Sequence, residues 1–207
     1  ETEKFMHLHG APIDVVYNGI ERIDLQPDSV PVQVDAERPF LFTIGEVKEK
    51  KNFHVLLDMM RYLPQYQLYI AGNASTPYAD TIRRQIAEKG LTNVHLLGVV
   101  APTEKVWLYR HCSAFLFPSL FEGFGLPIVE AMLFRKPVIC SQETSLIEIG
   151  GGHVQFFEKG YPPQSSAQTI ERVVANPPCD VDAAFAYAAS FAWNNHMQSY
   201  LNIYRAE

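Results

Sequence analysis

Short apolar runs alternate with amphipathic segments along most of the chain, and this alternation narrows the possible folds more than any other feature. Phe40 to Ile44, Tyr66 to Ala71, Val94 to Leu97, Ala114 to Phe117, Pro137 to Cys140 and Val154 to Phe157 have the length and composition of buried strands. Helical patterns lie between and after them: from Asn52 to Leu63, through Asp80 to Ala87, from Thr103 to Cys112, from Ser165 to Ala175, and as one long segment from Asp182 to Tyr204. Strands that alternate with helices imply a parallel sheet covered on both faces. Right-handed crossovers make that sheet doubly wound and Rossmann-like, an α/β fold. Ligands bind such sheets beyond the carboxyl ends of the strands. The loops to watch are therefore Gly45 to Lys51, Gly72 to Thr76, Gly98 to Pro102 and Ser119 to Leu126. The proline-punctuated stretch Gln26 to Pro39 reads as a loop.

The fourth of these loops is distinctive. Phe117-Pro118-Ser119-Leu120-Phe121-Glu122-Gly123-Phe124-Gly125-Leu126-Pro127-Ile128-Val129-Glu130-Ala131-Met132 reads as a strand end, a glycine-rich turn and a helix. Pro127 suits the first helical turn, where its missing N–H would be unpaired in any case. The turn aims backbone N–H groups outward at the positive end of a helix, which suits a phosphate. Glu122 precedes the turn and Glu130 follows it within the helix. Anion-binding amides framed by acids that can hold hydroxyls point to a ligand that is anionic in its middle and sugar-like at its ends.

This string resembles the signature of retaining glycosyltransferases with the GT-B fold, family 4: two glutamates separated by seven residues, with a glycine turn after the first. The resemblance covers nearly the whole chain but only half of such an enzyme. It implies a C-terminal donor-binding domain that uses a nucleotide diphosphate sugar in hexosyl transfer for glycan or polysaccharide synthesis. Glu122 would accept hydrogen bonds from the donor sugar, and Gly123, Phe124, Gly125 and Leu126 would offer amides to sugar and diphosphate. Phe124 could equally plug the core. Glu130 would hold the ribose hydroxyls. Lys51, placed by the resemblance at the start of the first helix, would neutralise the diphosphate as a point charge. Asn73 either contacts the donor or caps its turn, and the backbone at Val99 would meet the nucleobase. Glu148 matches a recurrent acid that orients its loop.

The chain departs from the pattern at Glu46, where the family usually carries an arginine that grips the phosphates. Either donor binding is then weaker, or another cation such as Arg135 or Lys136 compensates. Neither a metal nor another cofactor is implied, since the chain has no Asp-x-Asp motif and no cluster at ligand spacing. A helix end and Lys51 would stabilise the leaving group instead. Two rival readings stay open, a non-catalytic nucleotide-sugar-binding module, for which Glu46 is the support, and another GT-B enzyme such as a nucleotide-sugar epimerase. A plain dinucleotide-binding domain would need a glycine-rich fingerprint after the first strand, and Gly45-Glu46-Val47-Lys48 does not supply it.

Composition sets the outer bounds. The chain has 207 residues, 47% of them hydrophobic, enough for a full core. Its formal net charge of −6 argues against a nucleic-acid partner. Cys112, Cys140 and Cys179 are an odd set without metal spacing and read as reduced thiols of a cytoplasmic protein. His7 and His9 read as a solvated pair. Residues 1–20 are expected to be an inter-domain crossing segment, 21–191 the nucleotide-sugar-binding domain, and 192–207 a closing helix. On this reading an N-terminal acceptor-binding domain precedes the chain in the full protein, the acceptor is lipid-linked or a glycan, and the full protein works at the inner face of a membrane. The 207 residues alone are expected to be inactive.

Overall fold

The computed structural model describes residues 14–205. His7, His9 and the first thirteen residues of the expected crossing segment lie outside them. The residues form two compact units, Arg22–Ala189 and a smaller one whose described parts are 14–21 and 190–205.

The larger unit is built on six strands, β1 (Phe40–Ile44), β2 (Gln67–Ala71), β3 (Val94–Gly98), β4 (Ala114–Phe117), β5 (Val138–Cys140) and β6 (Gln155–Phe156). All pairings are parallel, in the order β3-β2-β1-β4-β5-β6. The helices are α1 (His54–Met60), α2 (Pro77–Glu88), α3 (Pro102–His111), α4 (Leu126–Leu133), α5 (Ser145–Gly150), α6 (Pro163–Ala175) and α7 (Val181–Ser190). The fold is the expected doubly wound, Rossmann-like α/β sheet. The order reverses between β1 and β4, so the loops after these two strands flank the crevice where such sheets bind ligands.

The period of two along each strand sorts the core into two chemically different halves. Leu41, Leu68, Ile70, Leu116 and Ile139 belong to an aliphatic cluster with Leu56, Leu57, Met60, Ile82, Ile170 and Val173 from α1, α2 and α6. Phe40, Phe42, Tyr69 and Phe115 point the other way, into an aromatic layer. Phe40 stacks on Trp107 of α3, and Phe42 meets Tyr109 edge-on at 5.1 Å. All of these side chains are buried, each giving up on the order of 1.5–3 kcal/mol of unfavourable exposure to water.

Local chemistry starts several helices where the sequence demands. Thr76 caps α2 by accepting the N–H of Ala79 at 3.1 Å, with Pro77 behind it. Glu104 reaches back from α3 to the N–H of Ala101 at 2.7 Å. Two expectations are corrected. The first helix does not run from Asn52, because Asn52 adopts a left-handed conformation (φ 58°) that ends a 3-10 turn at Glu49–Lys51. The helix then starts at His54. The segment Asp182 to Tyr204 is two helices, α7 and α8 (Trp193–Arg205), and not one.

The break between them is seen in the smaller unit. The carbonyl of Phe191 accepts the N–H of Ile20 at 2.8 Å, and Ile20 pairs with Ala192 in a parallel bridge. Those backbone groups are therefore spent on an extended partner and not on continuing a helix. Tyr17 lies 5.8 Å from the ring of Phe191. A Cβ on Gly19 would come within 2.3 Å of Trp193, so only glycine admits that indole. No described helix is long and apolar enough to cross a membrane.

Candidate functional site

The four loops named from the sequence gather at the carboxyl edge of the sheet and are tied to one another by their backbones. The N–H of Gly45 bonds the carbonyl of Ala71, and that of Val47 the carbonyl of Asn73, both at 2.9 Å. The N–H of Gly72 bonds Gly98 at 2.7 Å. On the other side of the switch point, the Lys50 carbonyl accepts the N–H of Leu120 at 2.8 Å, and the Ser119 hydroxyl oxygen lies 3.1 Å from it. These bonds bring the β1 loop against the signature loop. Close approach also requires a glycine, since a Cβ on Gly72 would sit 2.1 Å from the carbonyl oxygen of Gly45.

Lys51 and Glu122 meet across this junction. The Lys51 ammonium donates to Oε1 of Glu122 at 2.5 Å, and the Ser119 hydroxyl donates to the same oxygen at 2.6 Å. Both charged side chains are largely withdrawn from water, with 11% of Lys51 and 14% of Glu122 exposed. The ammonium also lies 4.9 Å from the centre of the Phe117 ring, a cation–π contact. Lys51 reaches the site from the 3-10 turn before α1. The backbone of Glu122 is clamped as well. Its N–H faces the Thr144 hydroxyl at 3.2 Å, and its carbonyl accepts from Ser145 at 3.0 Å.

Downstream, Gly125 holds φ at 109°, which glycine adopts without strain, and α4 begins at Leu126 with Pro127 in its first turn. The first amides of a helix have no intrahelical partner, so this end is suited to an anion. Gly123 and Leu126 are exposed and Phe124 is half-buried. Glu130 stands on α4, and both its oxygens are bonded: Oε1 accepts from Lys105 and Oε2 from the Tyr109 hydroxyl, each at 2.9 Å.

The remaining candidates divide. Val99 is 79% exposed just beyond β3. Asn73 caps its own turn, accepting the N–H of Ser75 on Oδ1 at 3.0 Å. Glu46 is paired with Lys48 at 2.7 Å on the surface. Arg135 cannot supply the charge that an arginine at position 46 would have brought. It lies past the far end of α4, bonded to Asp182 at 2.5 Å and stacked on Phe185, and Lys136 follows it. Glu148 is exposed on α5. Cys112 and Cys140 are buried, and loss of hydration pushes both thiols up to about 12. Sequence reasoning gave no role to Ser119, Thr144, Ser145, Lys105 or Tyr109. The last two had a usable signal, since a spacing of four puts them on one face of α3.

The fold is that of the GT-B glycosyltransferases, with the signature loop at the switch point of a Rossmann-like sheet. The chain belongs to the family of glycosyl transferases group 1, which matches residues 27–190. O-antigen chain mannosyltransferase B of Escherichia coli is 30% identical over 171 residues, 78% of this chain and 44% of that protein. D-inositol 3-phosphate glycosyltransferase of Mycolicibacterium vanbaalenii is 28% identical over 226 residues, 97% of this chain and 50% of that protein. The chain thus spans about half the length of these relatives. Among solved structures, Anabaena HepE in complex with UDP-glucose superposes with a TM-score of 0.78 at 24% identity, over 94% of this chain and 57% of that one. Sucrose-phosphate synthase of Thermosynechococcus elongatus gives 0.78 at 22% identity, over 99% and 56%. At these identities the two structures speak for the fold.

Proposed function

We propose that this domain binds the nucleotide diphosphate sugar of a retaining hexosyltransferase in glycan synthesis. The observation that carries the reading is the Glu122 carboxylate, held by Lys51 and Ser119 immediately before the amide-rich start of α4. The names of the relatives, a mannosyltransferase of O-antigen chains among them, favour a hexosyl donor and a glycan or lipid-linked acceptor.

In this reading the diphosphate lies at the amides of Gly123 to Leu126 with Lys51 beside it. As the glycosidic bond breaks, negative charge grows on the leaving diphosphate. Fixed amides and an ammonium that need no reorganisation stabilise it, without a metal. Glu122 accepts hydrogen bonds from hydroxyls of the sugar, and Glu130 takes the two hydroxyls of the ribose. The acceptor comes from a second domain of the full protein, so the 207 residues alone bind donor and transfer nothing. Glu46 is the feature that favours a non-catalytic module. Its pairing with Lys48 masks its charge and weakens that alternative.

Calorimetry on two variants tests the assignment. Glu130→Gln is expected to weaken nucleoside diphosphate and intact donor alike. Glu122→Gln should spare the nucleotide and weaken only the donor. If both variants bind nucleoside diphosphate like the parent, Glu130 does not hold the ribose.

A further inference from the structure

We infer that Tyr109 and Lys105 are positioning residues that fix the two oxygens of Glu130 and so set how strictly the site demands a ribose diol. The inference rests on the proposal that Glu130 binds the ribose, and adds what makes that carboxylate selective.

The two residues lie one turn apart on α3, and Glu130 faces them from α4. Each takes a different oxygen, Lys105 Oε1 and Tyr109 Oε2, both at 2.9 Å. A carboxylate held at one oxygen can still swing about its last torsion, whereas one held at both cannot. It has about four acceptor positions, and two donors leave roughly one free on each oxygen. Two free acceptors at a fixed separation match two neighbouring hydroxyls. A single hydroxyl, as in a 2′-deoxyribose, leaves one of them unpaired.

Tyr109 is equipped for this role. It is fully buried, packed on Phe42 at 5.1 Å, Phe115 at 5.3 Å and Phe134 at 5.7 Å. Its one proton can serve Glu130 at 2.9 Å or the Pro127 carbonyl at 3.4 Å, and the shorter, charged partner takes it. Burial first, and then the Glu130 charge, push the phenol well above its ordinary value, so it remains a donor at any working pH. The rings hold the hydroxyl in place, and the hydroxyl holds the carboxylate. Lys105 is partly exposed and supplies the more yielding of the two contacts.

The test is the ratio of affinities for a ribonucleotide and its 2′-deoxy form, measured by calorimetry with UDP, GDP and ADP and the corresponding deoxynucleotides. A hydrogen bond to a charged group accounts for about a tenfold preference for ribose in the parent. Glu130→Gln should erase that preference. Tyr109→Phe keeps the ring among its aromatic neighbours and removes only the hydroxyl, and should lower the preference to about threefold or less. Lys105→Gln should lower it as well. A fault in folding would weaken both nucleotides equally and leave the ratio alone. If Glu130→Gln erases the preference while Tyr109→Phe and Lys105→Gln keep it, the positioning role is wrong and the ribose assignment stands. If Glu130→Gln leaves the ratio unchanged, or none of the three nucleotides binds, both fall. Should Tyr109→Phe fail to fold, Lys105→Gln decides alone: a ribose preference equal to the parent's would overturn the inference.

Discussion

The ammonium of Lys51 lies 2.5 Å from Oε1 of Glu122, a contact between two loops that meet where the strand order reverses. Seventy-one residues of sequence separate them, and the sheet topology brings them together. Lys51 holds Glu122 in place and, on the reading proposed above, serves the diphosphate as well. Lys51→Ala should therefore weaken nucleoside diphosphate binding by about 1–3 kcal/mol, the scale of a hydrogen bond to a charged group. It should also lower the melting temperature, because Glu122 is left withdrawn from water with only Ser119 as donor. Unchanged affinity by calorimetry would remove Lys51 from the diphosphate site.

Gly123 and Gly125 are separated by one residue and have different reasons to be glycine. A Cβ on Gly125 would meet Leu146 at 2.7 Å on a backbone with φ at 109°. A Cβ on Gly123 would meet no protein atom within 4 Å, and its backbone is not left-handed. Gly125→Ala should thus lower thermal stability. Gly123→Ala should change it by less than about 0.5 kcal/mol and yet weaken donor binding, since on the proposed reading the open space it fills is where the donor lies. A Gly123→Ala protein that melts like the parent and binds donor like it would place the sugar elsewhere.

The parts of the fold and site that could be read from the sequence are those set by local chemistry. Apolar runs at strand length gave the six strands of the sheet to within a residue or two, and the glycine turn with Pro127 gave the start of α4. What escaped depends on long-range pairing. Nothing local says that Asn52 turns left-handed, or that Phe191 and Trp193 bond Ile20 and so divide the last helical segment. The roles of Thr144 and Ser145 at the Glu122 backbone depend on how the β5 loop folds back. The distance of Arg135 from the site follows from helix length alone: it lies beyond the far end of α4, and each residue adds about 1.5 Å.

Two histidines tie stability to pH. His95 on β3 packs on Tyr69 at 5.2 Å. In the amide orientation that satisfies its neighbours, Gln67 donates to His95 Nε2 at 2.6 Å and accepts from Arg38 at 2.8 Å. Burial, and secondarily the Arg38 charge, hold His95 below its usual 6.5. His111 is also lowered, by burial first and by Lys136 and Arg110, against an opposing pull from Asp28. A group lowered in the folded state binds its proton more readily when unfolded. Its contribution is therefore fully present above pH 6.5 and declines as the pH falls below that value. Urea denaturation should give a lower stability at a pH of about 5.5 than at about 7.5, and His95→Gln should reduce the slope. A flat profile in the parent would contradict this account.

Thr144 sits at φ 45° and ψ −127°, a region that β-branched residues avoid and glycine accepts. Its hydroxyl faces both the N–H of Glu122 at 3.2 Å and the carbonyl at 3.3 Å. The strained backbone is thus what brings the hydroxyl to the Glu122 peptide. Two substitutions separate the backbone from the hydroxyl. Thr144→Ala and Thr144→Gly both lose the hydroxyl, but only the glycine relaxes the backbone. Thr144→Gly should therefore be more stable than Thr144→Ala, by about 1 kcal/mol or more after the entropic cost of glycine in the unfolded chain. Both should bind donor sugar more weakly than the parent, because the clamp on Glu122 is gone in each. If the two melt together, the backbone at position 144 is not strained. If donor affinity is unchanged in both, Thr144 does not hold Glu122 for the sugar.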